Sequence, residues 1–200
     1  IGIDVRVVDA CVGTDKDDLL EVFNNSIDLP SGLIRNGLTD ERILEEVADA
    51  DIVGLTSIFS DQETMVLYAA NLIRQAYPEK VLISGGANAR FRLEPFFKNS
   101  FDVVALSEAE WTIQKIAKKV AAGSRNFSDI SSIAYKSGDG YIVNRTLPGD
   151  VIVDLDELPM PAWDLLPNDR YWKIGRPHGG QAIHAIEGEI KYASMMTSLG

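Results

Sequence analysis

The chain has 200 residues, of which 46% are hydrophobic, and carries a formal net charge of −11 at pH 7. This composition suits one α/β domain with an appendage, and an acidic chain without a basic cluster argues against nucleic acid or an anionic membrane as a partner. No apolar run approaches the roughly 20 residues of a membrane helix, no signal-peptide pattern is present, and the single cysteine excludes an internal disulfide, so we expect a cytoplasmic protein.

The first 50 residues predict one strand and two helices. An apolar run at residues 5–8 indicates a strand and is followed by Asp9. The side chain of Asp9 is either delivered to a ligand or used as a turn former, and the pattern leaves both interpretations open. We expect Cys11 to be an inert small residue. Residues 15–27 predict a short helix, and a second helix is predicted to start at residue 39 or 40.

Residues 51–87 predict a strand–helix–strand unit. Its first strand covers residues 52–57, Ser60 and Glu63 have the spacing of a capping box, and a second apolar run covers residues 80–84. The apolar side of the helix between them consists of Met65, Ala69, Leu72, Ile73 and Ala76, and Pro78 ends it. Such units have parallel strands, so the carboxyl ends of both strands meet at one sheet edge, where open α/β sheets bind ligands. The residues expected at this edge are Thr56, Ser57, Ser60, Gly85, Gly86 and Ala87.

Residues 87–123 predict a loop, two helices and a strand. The loop covers residues 87–92, and the short helix after it carries Phe96 and Phe97, which we expect in the core. A third strand over residues 102–106 leads into a second capping-box spacing, from Ser107 to Glu110. The inward positions of the following helix are Ile113, Ile116, Ala117 and Val120, and Gly123 suits the position after its end. Carboxylates at the start of a helix interact favourably with the positive end of its dipole. The positions of Glu108 and Glu110 are therefore explained without a ligand.

The rest of the chain predicts a hairpin, a linker and a new strand. Strands at residues 131–135 and 141–145 flank a tight turn at Asp139-Gly140, which closes the sheet with an antiparallel edge. Residues 147–167 are rich in Pro, Asp and Leu and indicate a linker. Residues 191–197 predict a fresh strand, which suggests a further domain.

The sequence offers no obvious catalytic group. It has no Cys/His cluster for a metal, no nucleophile elbow, no GxGxxG and no P-loop, and His178 and His184 are isolated. What remains is the expected edge of small, neutral residues. Hydroxyls donate hydrogen bonds without charge, and paired glycines let a bulky group approach the backbone. This suits the tail of a large organic cofactor, although a simple strand-to-loop turn at Gly85-Gly86 is an equal alternative.

Six segments carry a resemblance to a known family. They are VVDA (7–10), GLTSIFS (54–60), ISGGA (83–87), SEAE (107–110), LDELPMPAWDLLP (155–167) and MTSLG (196–200). In order and spacing they resemble the amino-terminal part of cobalamin-dependent radical SAM enzymes, over nearly the whole chain. The resemblance implies a cobalamin-binding, Rossmann-like parallel sheet of flavodoxin-like order over residues 1–146, whose first strand precedes Ile1. It also implies a linker over residues 147–190 and the start of a radical SAM partial barrel over residues 191–200.

The resemblance also implies which residues bind the cofactor. Thr56 and Ile58 match a Ser-x-Leu motif, the glycine pair is matched, and residues 107–110 match a Gly-Glu-Gly-Glu loop in which Ser107 and Ala109 replace glycines. The predicted cobalamin-binding residues are therefore Asp9, Thr56, Ser57, Ile58, Ser60, Gly85, Gly86, Ala87, Ser107 and Glu108; none is predicted to be catalytic or a metal ligand. S-adenosylmethionine and a [4Fe-4S] cluster are implied beyond residue 200, where the family's Cys-x-x-x-Cys-x-x-Cys begins.

The implied activity is methyl transfer to an unactivated carbon of a small-molecule substrate, with the chain's own radical SAM domain as partner. Cyclisation or rearrangement in the same family, a stand-alone corrinoid carrier or sensor, and a cofactor-free flavodoxin-like domain are the alternatives. A topological expectation follows from the flavodoxin-like order 2-1-3-4-5, in which the first strand separates the second from the third. If residues 4–8 are the second strand, they find few or no main-chain partners within the chain.

Overall fold

The computed structural model describes residues 2–174 and Lys191. These form two compact units: residues 40–159 with residues 2–3, and residues 4–39 with those from 160 onward. Apart from Lys191, the strand predicted at residues 191–197 lies outside the described residues, as do His178 and His184. The predicted domain boundaries at residues 146 and 190 stay predictions.

Seven helices and seven strands are labelled here in chain order, within residues 2–174. They are α1 (Leu19–Asn24), β1 (Ser26–Asp28), β2 (Ile34–Asn36), α2 (Asp40–Val47), β3 (Ile52–Thr56), α3 (Glu63–Ala76), β4 (Val81–Gly85), α4 (Ala87–Phe91), α5 (Leu93–Lys98), β5 (Val103–Ala105), α6 (Glu110–Ala121), β6 (Ile133–Ser137), β7 (Gly140–Asn144) and α7 (Asn168–Ile174). No helix in this part of the chain is both long and apolar enough to cross a membrane.

The smaller unit contains α1, the antiparallel pair β1–β2, and α7. The carboxylate of Asp18 caps α1 by accepting hydrogen bonds from the amides of Leu20 and Glu21, each at 2.9 Å. The helix predicted over residues 15–27 is therefore shorter, and residues 26–28 form a strand instead. Residues 2–9 belong to no strand in the structure, so the strand predicted at residues 5–8 is not formed.

The larger unit is built on a five-stranded sheet of order β3-β4-β5-β6-β7. Strands β3, β4 and β5 are parallel, and β6 and β7 add an antiparallel hairpin at one edge. This confirms the predicted α/β, Rossmann-like class with a hairpin edge. β3 is the opposite edge of this sheet; the flavodoxin-like order and the strand before Ile1 stay predictions.

Strand β4 shows why these residues form the centre of the sheet. Leu82 packs with Ile73 and Phe96 on one face, while Val81 and Ile83 pack with Ile116 on the other. All are buried. A strand that is covered on both faces shows no alternation of polar and apolar residues. A continuous apolar run of this kind is typical of parallel sheets with helices on both sides.

Several local predictions are corrected by the structure. Neither capping box forms: a 3-10 turn covers Ser60–Gln62, and the residues before α3 and α6 make no side-chain cap. The loop predicted at residues 87–92 is mostly helix α4. The hairpin turn lies at residues 138–139, one position earlier than predicted. Phe96 and Phe97 are buried, as predicted.

Candidate functional site

The carboxyl ends of β3 and β4 lie side by side. Thr56 is in register with Gly85, and the amide of Ser57 donates to the carbonyl of Gly85 at 2.8 Å. The predicted meeting with the glycine pair at one sheet edge is therefore confirmed for Thr56 and Ser57, whereas that of Ser60 stays a prediction. The segment that follows β5, starting with Leu106 and Ser107, leaves the sheet at the same edge, because β5 is parallel to β4.

The two glycines of the pair have different structural requirements. Gly86 has φ +99°, and a Cβ atom at this position would lie 2.6 Å from the carbonyl oxygen of Ser57. Gly85 has no such constraint, since a Cβ there would meet only the Cβ of Ala105, at 3.7 Å. Gly86 is thus required by the turn from β4 into α4, and it remains exposed on the sheet edge.

Ser57 lies beneath the surface of the sheet edge and is not exposed on it. It is fully buried, and its carbonyl oxygen accepts hydrogen bonds from the amides of Asn88 (3.1 Å) and Ala89 (3.4 Å). Its hydroxyl accepts a further bond from Nδ2 of Asn88 at 3.0 Å, and the same Nδ2 donates to Glu63 at 2.9 Å. A ligand role of Ser57 stays a prediction; its observed contacts connect β3 to α4.

The exposed residues predicted to bind a ligand at the ends of β3 and β4 are all neutral. Five of the predicted ligand residues are exposed here: Thr56, Ile58, Ser60, Gly86 and Ala87. Two aromatic side chains that the sequence analysis did not single out, Phe59 and Phe91, are 56% and 77% exposed. Hydroxyls, bare backbone and apolar side chains can contact an aromatic ring and hydrogen-bond to amide or hydroxyl groups, but they supply no charge.

Ser107 and Glu108 follow β5 at this edge but do not cap α6. The hydroxyl of Ser107 donates to the carbonyl of Glu108 at 3.3 Å, and Ala109 occupies the N-cap position. Glu108 is exposed and Ser107 is half-buried. Their predicted contact with a cofactor is not tested by these positions.

Asp9 belongs to the smaller unit, whereas the other predicted residues belong to the larger one. Its carboxylate accepts hydrogen bonds from the amide of Cys11 (2.9 Å) and the hydroxyl of Tyr171 (2.7 Å). These contacts suit the interpretation of Asp9 as a turn former. Desolvation of the thiol, and then the charge of Asp9, raise the pKa of Cys11, while the charge of Arg35 opposes them. The expectation that Cys11 is inert stays a prediction.

Within residues 2–174, no group of three or more His, Cys, Asp or Glu side chains is placed to hold a metal ion. Because the sheet edge described above exposes hydroxyls, backbone and apolar side chains, it is a candidate for binding an organic group.

Comparison with known proteins gives two curated relatives. No family model matches the chain. The chain is 29% identical over 157 residues to "Uncharacterized methyltransferase PH0819" of Pyrococcus horikoshii, covering 73% of this chain and 33% of that protein. It is 26% identical over 170 residues to "Cytidylyl-2-hydroxyethylphosphonate methyltransferase" of Streptomyces wedmorensis, covering 74% and 32%. The chain thus spans about a third of the length of both relatives, which are named as methyltransferases.

One solved structure is also similar, with a TM-score of 0.44 and 20% sequence identity. It is titled "Structure of Cobalamin-dependent S-adenosylmethionine radical enzyme OxsB with aqua-cobalamin bound", and the match covers 55% of this chain and 16% of that one.

Proposed function

We propose that this chain is the cobalamin-binding portion of a radical SAM methyltransferase. The observation that carries the proposal is the open carboxyl edge of β3 and β4, on which Thr56, Ser60 and Gly86 are exposed. Ligands of open α/β sheets bind at this edge. The names of the two curated relatives support the methyltransferase part, and the motif resemblance supports the cofactor.

The exposed residues of the edge fit the chemistry of cobalamin. Thr56 and Ser60 would hydrogen-bond to its amide and nucleotide groups, and Gly86 would let it approach the backbone. Ile58 and Phe59, both more than half exposed, would pack on its apolar surface. Bound cobalamin would supply the methyl-carrying chemistry, so this chain's residues would bind and orient it. S-adenosylmethionine, a [4Fe-4S] cluster and the methyl acceptor belong to the proposal for the longer protein.

The proposal is tested by reconstituting the full-length protein with hydroxocobalamin and recording its visible absorbance after gel filtration. We expect a stoichiometric corrinoid band. We also expect Thr56→Val and Ser60→Ala each to weaken binding about 3- to 10-fold, the effect of losing one net hydrogen bond of about 1 kcal/mol. Thr146→Val is the matched control, because Thr146 is an exposed hydroxyl residue beyond β7, and it should bind as the wild type does.

The absence of a corrinoid band from the folded wild-type protein would contradict the proposal. That result would favour a cofactor-free flavodoxin-like domain instead. Equal affinities of Thr56→Val and Thr146→Val would move the binding site away from the end of β3.

A further inference from the structure

The amide side chain of Asn88 connects three elements next to the candidate edge: β3, α3 and α4. Nδ2 of Asn88, at the start of α4, donates to the hydroxyl of Ser57 after β3 and to Oε2 of Glu63, the first residue of α3. The backbone amide of Asn88 also donates to the carbonyl of Ser57. The segment that carries Ile58 and Ser60 is thereby attached to Asn88 at both ends, by two hydrogen bonds at Ser57 and by one at Glu63.

These hydrogen bonds matter for stability because the groups that form them are buried. Asn88 is 7% exposed and Ser57 is fully buried. The side chain of Glu63 is 13% exposed and also forms an ion pair with Nε of Arg92 at 3.1 Å. A buried polar group that loses its partner destabilises the fold by more than the net gain of an ordinary hydrogen bond. Both ends of residues 57–63 are therefore fixed against α4, and the exposed residues between them are held at one distance from Gly86.

We propose that Asn88 is a positioning residue, which together with Glu63 sets the spacing between the segment after β3 and the start of α4. It is too deeply buried to act as a ligand contact itself, and it acts through Ser57 and Glu63 on the exposed Thr56 and Ser60. Its effect on cobalamin binding rests on the proposed function. The attachment of residues 57–63 to α4 does not depend on the proposed function.

The test compares Asn88→Ala with Asn71→Ala in the full-length protein. Asn71 is a suitable control because its side chain makes two hydrogen bonds in the same unit, with Asn99 (2.9 Å) and Ser100 (2.8 Å), away from this edge. Hydrogen exchange is measured on the unliganded proteins, and hydroxocobalamin affinity by titration. We expect Asn88→Ala to raise amide exchange over residues 57–62 at least tenfold and to weaken hydroxocobalamin binding about tenfold. Asn71→Ala should leave both unchanged.

The Glu63 variants keep the test decisive where Asn88→Ala fails to fold. Glu63→Gln retains a side-chain carbonyl that accepts from Asn88, whereas Glu63→Ala removes the acceptor. We expect Glu63→Gln to resemble the wild type and Glu63→Ala to reproduce the faster exchange over residues 57–62. Equal exchange in Glu63→Ala and Glu63→Gln, or in Asn88→Ala and Asn71→Ala, would overturn the inference. A wild type that binds no hydroxocobalamin would overturn the proposed function alone, since the exchange measurement still decides the role of Asn88.

Discussion

At the scale of single residues, we predict that position 86 requires glycine. With φ +99° and ψ 167°, Gly86 lies in a region that other residues adopt only with strain, and an added Cβ would overlap the carbonyl oxygen of Ser57. We expect Gly86→Ala to lower the free energy of unfolding by about 2 to 4 kcal/mol, from strain of about 1 to 3 kcal/mol and the displacement of a hydrogen-bonded carbonyl. Urea denaturation measures this. Gly85→Ala should cost less than about 1 kcal/mol, because its added methyl has space; equal losses would refute the distinction.

Asp150 is a buried carboxylate that connects several segments of the larger unit. It is 3% exposed, and its carboxylate accepts hydrogen bonds from the hydroxyls of Ser131 (2.7 Å) and Ser132 (3.0 Å). The amide of Leu147 donates to it at 2.8 Å, and Nζ of Lys115 lies at 3.4 Å. Burial by itself raises the pKa of Asp150, but these donors outweigh it and lower the pKa to about 2.

Replacing Asp150 leaves the buried hydroxyl of Ser132 and the partly buried donors of Ser131 and Leu147 without this acceptor. We expect Asp150→Ala to lower the free energy of unfolding by about 2 to 4 kcal/mol at pH 7, while the exposed Asp156→Ala changes it by less than about 0.5 kcal/mol. A carboxylate with a lowered folded-state pKa stabilises the fold above its ordinary pKa of 3.8, and this contribution is lost as the pH falls towards 2. The difference between wild type and Asp150→Ala, measured by urea denaturation, should therefore shrink between pH 4 and pH 2. A difference that stays constant with pH would exclude this role of the charge.

Predicting the residues of the edge from sequence succeeded where local chemistry determines the position. Thr56 and Gly85 follow apolar strands, so their meeting follows from parallel strands alone. Asn88 and Glu63 were not predicted as a pair, because their contact joins residues 25 positions apart and neither stands in a periodic pattern. The sequence shows that residue 57 carries a hydroxyl, but it does not show that this hydroxyl is buried and accepts a hydrogen bond from Asn88; its ligand role stays a prediction.

At the scale of elements, the two predicted capping boxes that do not form lead to a testable prediction about the free energy of unfolding. A Ser that caps a helix loses about 1 kcal/mol when replaced by Ala. In the structure Ser60 begins a 3-10 turn and Ser107 bonds to the adjacent carbonyl of Glu108, so neither caps. We expect Ser60→Ala and Ser107→Ala each to change the free energy of unfolding by less than about 0.5 kcal/mol in urea denaturation. Asp18→Ala, which removes an observed cap on α1, is the positive control with a loss of about 1 kcal/mol.

The elements themselves divide into those with a local origin and those without one. β4 and the β6–β7 hairpin could be predicted because apolar runs and turn residues determine them within a few residues. Helix α4 could not, because the carbonyl of Ser57 accepts from its Asn88 and Ala89 amides. Its N-terminal hydrogen bonds thus come from a strand about 30 residues earlier, which no local pattern indicates. The displaced hairpin turn follows from Gly138, whose φ of +57° takes the first central position of the turn.

At the scale of the molecule, the larger unit contains all the parts of a folding domain. Both buried clusters of the sheet, one on each face, are formed by residues between 43 and 135, and all five strands of the sheet lie between residues 52 and 144. The open edge at Thr56 and Gly86 lies in the same unit. Neither the core nor the candidate edge of this unit depends on residues 4–39 for a strand.

We therefore expect a fragment of residues 40–159 to fold alone. It should unfold cooperatively in urea with a free energy of about 5 kcal/mol, the lower end for globular domains. A fragment of residues 63–159 is the matched control. It lacks α2 and β3, whose Val53, Ile43 and Leu44 belong to the core on one face, and losing this much buried surface should abolish cooperative unfolding. Circular dichroism at increasing urea concentration distinguishes the two. If the longer fragment also unfolds gradually, the sheet depends on contacts outside residues 40–159, and the candidate edge must be studied only in the whole protein.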